Sequence, residues 1–364
     1  MNTAHNMTRV YAAEDANPCR GRVIWKPSKS AWILSMYIGA IVGGWLTFSW
    51  QMFALFAVTS VFTLCAGHSV GMHRRLIHNS FNCPKWLEYG LVYFGCLVGL
   101  AGPFSIIYMH ELRDWSQRQP HCHDYFASRQ PLFKDWFWLL NCDIRLEHPP
   151  TIRYEPRIAN DRIYHLLERT RFLQQIPWAV LFYFMFGWGG VFWGICMRVS
   201  VCTTGHWLMG YVAHRWGDRT WDVAGAGVQG YNVPWCGLIT MGECWHNNHH
   251  AFPESAKLGI HPAQADPGWW LICLLHKVGL TWDIQHPETL PNIAKRGCIR
   301  TLLWHFALYD KGCSLPCCSK QSAESYRTNL VRSWCYRPQT IVGMQVMREI
   351  NSLRKYYCPF RPRF

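Results

Sequence analysis

The sequence predicts an all-α integral membrane protein: four transmembrane helices in two hairpins, beneath a cytosolic helical cap rich in histidine. Three observations lead there. From Ala31 to Gly67, 37 consecutive residues lack Asp, Glu, Lys, Arg and His. A second uncharged stretch runs from Pro177 to Met197 and, after Arg198, stays apolar to Leu208. The histidines cluster just outside these stretches.

A bilayer-spanning helix needs roughly 20 mostly apolar residues, about 17 at the short end. The first run is therefore two short spans, about 31–48 and 50–67, with a turn near Ser49, Trp50 and Gln51. The second gives spans at about 174–188 and 190–210 if the turn falls near Gly187 to Gly190. No cleavable signal is expected ahead of them, because the apolar run starts too late and runs too long. Tyr89 to Met109 is also uncharged, but a crossing there would separate His110 from His73 and His78. It is expected as a helix in the interface or lining a cavity, with Gly268 to Leu280 as a second, amphipathic, surface-lying helix. Four spans leave every histidine cluster on the side of the N-terminus.

The expected organisation is a polar N-terminal arm (1–30), a membrane domain (31–290) and a basic, cysteine-containing extension (291–364). Length alone would permit two domains. Half of the 364 residues are apolar and 21 are tryptophan, an aromatic excess suited to lipid interfaces. Arg20, Arg22, Lys26 and Lys29 precede the first span, and the histidine-bearing loops are rich in Arg and Lys, which puts that side in the cytosol. From Lys295 onward thirteen Lys and Arg stand against three Asp and Glu, so ten of the net +14 belong to the tail. That tail is expected as a solvated basic extension, or as one attracted to anionic lipid or an acidic partner. Seventeen cysteines, many beside apolar runs, fit reduced thiols better than a disulfide framework.

The chemistry lies in the histidines: "HSVGMHRRLIH" holds His68, His73 and His78, and "HELRDWSQRQPHCH" holds His110, His121 and His123. "GHWLMGYVAH" holds His206 and His214, and "GECWHNNHHAFPES" holds His246, His249 and His250. His206 and His214 lie about 80° apart on a helix and face one way. His73 and His78, five apart, would diverge on a straight helix, so the first cluster is expected where the second span ends. Imidazole suits iron, copper, nickel and zinc, and one zinc takes about four ligands. Eight or more convergent histidines imply two metal ions.

These segments resemble the membrane fatty acyl desaturases of the stearoyl-CoA desaturase type, from about Ala31 to Asp283. "GECWHNNHHAFP" looks like that family's third histidine box and "GMHRRLIHNSF" like its first. "RVSVCTTGHWLMGYVAH" resembles the fourth span, which ends in a ligand matching His214, and "GLTWD" the short segment after the third box. The resemblance implies two iron ions (Fe2+/Fe3+) using O2 and two electrons to put a cis double bond, most often delta-9, into a long acyl chain. It also implies ligands at His73, His78, His110, His214, His246, His249 and His250.

The sequence departs from the pattern in two places. Arg113 and Asp114 stand where the second box carries two further histidines, although the register is open, and Gly210 stands where the fourth span carries an asparagine. His206, with either Asp114 or His123, is expected to complete a rearranged shell; the plain alternative for His121 and His123 is exposed loop histidine. Glu243, Asn247 and Asn248 are expected to orient imidazoles or cap the helix. Arg74 and Arg75 are expected to meet a phosphate headgroup or to snorkel to the membrane surface, and Arg198 to be paired structurally.

No dinucleotide fingerprint or haem domain is evident, so an external donor such as cytochrome b5 or a ferredoxin is expected, docked on basic surface. The other expected partners are an acyl-CoA or lipid-linked substrate and membrane lipid, not nucleic acid. The site would face the cytosol from the endoplasmic reticulum or a bacterial inner membrane. Two alternatives stay open: a lipid hydroxylase, and a metal-binding membrane protein without activity.

Overall fold

The structure, a computed structural model, describes residues 9–290 and 294–296. The chain divides into two units, Met1–Gly297 and Cys298–Phe364, and the account below concerns the first. The expected basic extension lies, apart from 294–296, outside the described residues.

Helix α1 starts at Pro27–Ile38, with proline in its first turn where a missing N–H costs nothing. It widens through π-helical Gly39–Gly43 and ends at Gly44–Leu46. Three residues later Ser49, in extended backbone, accepts a hydrogen bond from Met52 N (3.3 Å) and caps α2, Trp50–Ile77. The second hairpin comprises α7 (175–186) and α8 (188–213). The chain reverses at Gly187, whose φ of +63° and ψ of −156° suit glycine alone. Both Trp50–Ile77 and Gln175–Ala213 are long and apolar enough to cross a membrane.

Small residues bring these helices together. A side chain at Gly43 would collide with the Phe192 ring of α8, and one at Gly39 with Cys196. Gly67 and Gly71 press against the backbone of Phe94 and Leu91 on α3, Lys85–Cys96. Outward faces stay apolar and uncovered: Trp45 is 85% and Phe184 81% exposed. Arg198, fully buried in α8, donates to the carbonyls of Gly194 and Leu97 and to Gln175 Oε1. Its structural partners are thus a carbonyl of its own helix, the carbonyl of Leu97 at the end of α3, and an amide, not a carboxylate.

The stretch expected as one helix over Tyr89 to Met109 is two, α3 and α4 (Pro103–Arg118), because Gly99 turns the chain at φ +86° and Pro103 starts the next helix. Of the next helices, α5 (Leu132–Asn141) packs on α1 and α8, and α6 (Arg162–Thr170) on α3 and α4. After α9 (His246–Ala251), Asp266 caps α10 (Pro267–Lys277) by accepting from Trp269 N at 3.0 Å. The main core sits under the inner ends of these helices: Met72, Leu76 and Ile77 of α2, Val92 and Cys96 of α3, Ile107 of α4, and Tyr164 and Leu167 of α6.

The fold is mostly helical rather than purely so. Three antiparallel ribbons pair β1 (Val10–Tyr11) with β4 (Thr151–Ile152), β2 (Gly21–Trp25) with β3 (Cys142–Leu146), and β5 (Trp221–Val223) with β6 (Ala294–Arg296). Their partners are distant in sequence and no hairpin turn announces them. The first two ribbons wrap the N-terminal arm around the cap.

Candidate metal centre

The last fifteen residues of α2, Thr63–Ile77, are wound with wide π turns. His73 and His78 would lie about 140° apart on an α-helix. Wide i→i+5 turns make them neighbours instead: His78 N donates to His73 O at 3.0 Å, and the two rings are 4.8 Å apart. His110 comes from α4 and His249 from α9, and one ligand atom from each of these four residues lies within 4.8 Å of the others. A second group of the same closeness joins His214, where α8 ends, with His246 and His250. Helix α9, only six residues long, thus serves both groups: His249 in one, His246 and His250 in the other. Ring centres of His249 and His250 are 5.9 Å apart, so the groups adjoin.

The nitrogens fit a cation site. Among the described residues, buried His78 Nε2, His110 Nδ1 and His249 Nδ1 have no hydrogen-bond partner. In the second group His214 Nδ1 lies 2.7 Å from Gly210 O, so its N–H donates there and Nε2 keeps its lone pair. That Nε2 is 3.0 Å from His246 Nε2, itself 3.0 Å from His250 Nε2. Neutral imidazole carries one N–H; a shared cation answers three such atoms aimed at one point. Burial keeps these rings neutral, the form that ligates metal: it pushes His110 down to about 4 and His214 to about 3. Burial and then neighbouring imidazoles put His78, His246 and His249 well below the usual range.

Glu243 lies against the first group, its Oε2 2.6 Å from His73 Nδ1, while Ser69 Oγ donates to Oε1 at 2.6 Å. Burial alone would raise its carboxyl, but His73 and Arg74 outweigh that and hold it well below the usual range. Among the described residues, the side chains of Asn247 and Asn248 bond other groups than the imidazoles. Asn247 ties down the backbone of Thr220, Trp221 and Gly230. Asn248 bonds Asn232, Leu258 O and Gln264. Both fix loops around α9. Arg74 and Arg75 reach neither headgroup nor surface: Arg74 pairs with Asp266 at 2.7 Å, and Arg75 with Glu88 at 2.6 Å. Both cations are buried, because carboxylates from other segments meet them.

The divergent second box lies along α4. Asp114 is not one of the mutually close donors of either group. Burial would raise its carboxyl, yet His110, Arg118, His250 and His249 together hold it well below the usual range. Arg113 Nη1 lies 3.8 Å from the point a Cβ on Gly210 would occupy, so the guanidinium borders the space this glycine leaves beside His214. His206 packs edge-on against His68, rings 4.7 Å apart, and neither joins a metal group. His123 caps the turn Asp124–Ala127, its Nδ1 accepting from Tyr125 N at 3.1 Å. A helix cap needs that lone pair, and the ring lies beside Trp138 instead. Sequence reasoning missed Gln117, which donates to Phe126 O (2.7 Å) and lies 3.0 Å from His214 Nε2. Its heptad spacing from His110, one face of α4, was the available signal.

The fatty acid desaturase family model matches residues 48–272, from the start of α2 into α10. That span takes in all seven convergent histidines. The chain is 34% identical over 262 residues to the sn-2 palmitoyl-lipid 9-desaturase of Nostoc sp. (strain 36), covering 68% of this chain and 88% of the relative. It is 32% identical over 258 residues to the sn-1 stearoyl-lipid 9-desaturase of Anabaena variabilis, covering 69% and 91%. It is 30% identical over 306 residues to the Acyl-CoA C20 Delta5-desaturase of Anemone leveillei, covering 78% and 94%. Similarity on this scale, across the segments that carry both histidine groups, leaves one assignment: the chain is an oxidoreductase that belongs to the fatty acid desaturase family.

Proposed function

We propose that the chain is a membrane acyl desaturase in which His73, His78, His110 and His249 hold one iron ion and His214, His246 and His250 the other. The observation that carries this reading is the pair of adjacent imidazole groups: in the first, His78 Nε2, His110 Nδ1 and His249 Nδ1 are buried without a hydrogen-bond partner, and in the second the Nε2 atoms of His214, His246 and His250 converge. Bound iron would supply the oxygen-dependent power to remove hydrogen from an unactivated alkyl chain, work outside the reach of side-chain acids and bases. In sum, a –CH2–CH2– unit, O2, two electrons and two protons become a cis –CH=CH– and two waters.

The chain's own residues hold the geometry. Glu243 fixes the His73 ring and the Gly210 carbonyl sets the His214 tautomer, while Gln117 of α4 lies beside the His214 Nε2 that would face the metal. Asp114 adds a negative charge beside both groups, compensating part of what the second box lacks. A long acyl chain on lipid or coenzyme A is the substrate. A delta-9 product is supported by the names of the Nostoc and Anabaena relatives, and the Delta5 name of the Anemone relative makes product analysis the discriminating measurement.

The two hairpins are read as four membrane spans, about 31–48, 50–67, 174–188 and 190–210, within a membrane domain of residues 31–290. Their uncovered apolar faces support this, and the Arg- and Lys-rich N-terminal side is the cytosolic one. Electrons come from an external donor of the cytochrome b5 or ferredoxin kind. An open cleft lined by Arg129, Arg215, Trp216 and Arg219 leads to His214 and supports such docking.

Lipid profiling of cells expressing the wild type beside His249→Ala, with metal analysis of both purified proteins, tests the reading. Two irons per chain and a new double bond that the variant loses would support it. A hydroxylated product would favour the hydroxylase, and a single zinc with no oxidised product the inactive scaffold.

A further inference from the structure

Among the described residues of the N-terminal arm, Arg9 has the most heavily bonded side chain, and its partners lie beside the first histidine group. Only 5% exposed, it spends all three of its nitrogens. Nη1 donates to Ile77 O (2.6 Å) and Glu111 Oε1 (3.0 Å). Nη2 donates to Leu76 O (3.0 Å) and Glu155 Oε1 (2.7 Å), and Nε to the same carboxylate oxygen (3.0 Å). Leu76 and Ile77 end α2 immediately before His78, and Glu111 follows His110 on α4. The guanidinium therefore grips the backbone beside one ligand and the side chain beside another.

The last carbonyls of a helix have no partner within it, and a cation there also complements the helix dipole. Arg9 itself is held in place, because Arg153 N donates to its carbonyl at 2.9 Å as β4 continues past β1. Its hydrogen-bond partners are two carboxylates and two carbonyls, so the cation is paired on every nitrogen. His73 and His249 are set elsewhere, His73 by Glu243 and His249 by α9.

We propose that Arg9 is a positioning residue for the first metal group: it fixes His78 and His110 relative to each other from outside the coordination shell. The inference rests on reading that group as a metal site. It assigns the N-terminal arm a role in metal affinity that its polar composition does not suggest.

The test uses the full chain in micelles, stripped of metal and titrated with Co2+, read by the cobalt absorption bands and by bound cobalt per chain. Removing outer-shell partners of metal ligands costs about 10–100-fold in affinity. Arg9→Met should weaken one of the two cobalt sites by that factor and leave the other within about twofold, with Arg9→Lys recovering part of the loss. His214→Ala, which removes a ligand of the second group, should weaken the complementary site, and the Arg9→Met/His214→Ala double variant should retain no tight site. If Arg9→Met does not fold, Glu111→Gln should reproduce a smaller weakening of the same site. Two unchanged sites, or two sites weakened in parallel with a fall in the melting temperature of the metal-free protein, would overturn the proposal. Wild-type protein that takes up no cobalt would refute the metal-centre reading itself.

Discussion

Asp266 is the residue whose loss should hurt the cap most. Its side chain is 2% exposed and its partner Arg74 1%. Oδ1 accepts from Arg74 Nη2 (2.7 Å) and Trp269 N (3.0 Å). Oδ2 accepts from Leu258 N (2.9 Å) and Gly259 N (3.0 Å). The carboxylate thus joins α2, beside His73, to the segment that follows α9. Asp266→Ala leaves a buried guanidinium with its next carboxylate, Glu243, 3.8 Å away. Breaking one side of such a pair costs about 3–5 kcal/mol, and losing the α10 cap about 1 kcal/mol. The two freed N–H groups relax with the same loop and are not additive. We expect a loss of about 4–6 kcal/mol, a large share of the roughly 5–15 kcal/mol that holds a folded protein together. Asp266→Asn keeps the shape and should lose less. Equilibrium unfolding in mixed micelles measures each variant, together with Arg74→Met/Asp266→Leu. That double variant orphans no charge and should be more stable than Asp266→Ala alone. A loss below about 1 kcal/mol for Asp266→Ala would refute the reasoning, as would a double variant that costs the sum of the singles.

Three further outcomes are expected. His206→Ala should leave the metal content of both groups unchanged, because its ring packs on His68 outside either group; metal analysis showing a lost ion would return His206 to the ligand set. Burial would raise the Glu88 carboxyl, but Arg75, Tyr164, Lys85 and Arg157 outweigh it and hold it at about 2 against an ordinary 4.5. Its contribution is therefore complete above pH 4.5 and fades as pH falls toward 2, up to about 3 kcal/mol. Glu88→Gln should flatten acid unfolding across that window, and an unchanged acid limb would show that other groups carry it. Gly187→Ala meets nothing within 4 Å and changes only backbone strain at φ +63°, so a loss of about 1–3 kcal/mol with unaltered metal binding should appear in the same unfolding assay.

The parts of this protein legible in the sequence are those written locally. Uncharged runs mark the two hairpins, and a glycine-rich stretch marks the reversal that the structure puts at Gly187. Histidines at offsets zero, three and four mark α9. The readings that failed each depended on a distant partner. Arg74 and Arg75 looked like membrane-facing cations because Asp266 is 192 residues from the first of them. Glu88, only 13 residues from the second, gave no pairing signal across the break between helices. His123 and His206 looked like spare ligands because residue type and helical phase cannot tell a cap or a ring stack from a coordination bond. Asn247 and Asn248 sit among the ligands in sequence but point at loops that only the folded chain brings close.

By itself the sequence determined which segments are apolar enough to lie together and which imidazoles are available, since both follow from composition and short-range period. The tertiary structure alone decided how those imidazoles divide: four in one group, three in the other, with His249 and His250 parted though adjacent in sequence. The physical reason is twofold. Wide turns at the end of α2 rotate His78 back over His73, and α9 lies between the ends of α2 and α8 and the middle of α4, so its histidines meet different neighbours. Helix winding and long-range packing set those directions, and neither is carried by the identity of the histidines.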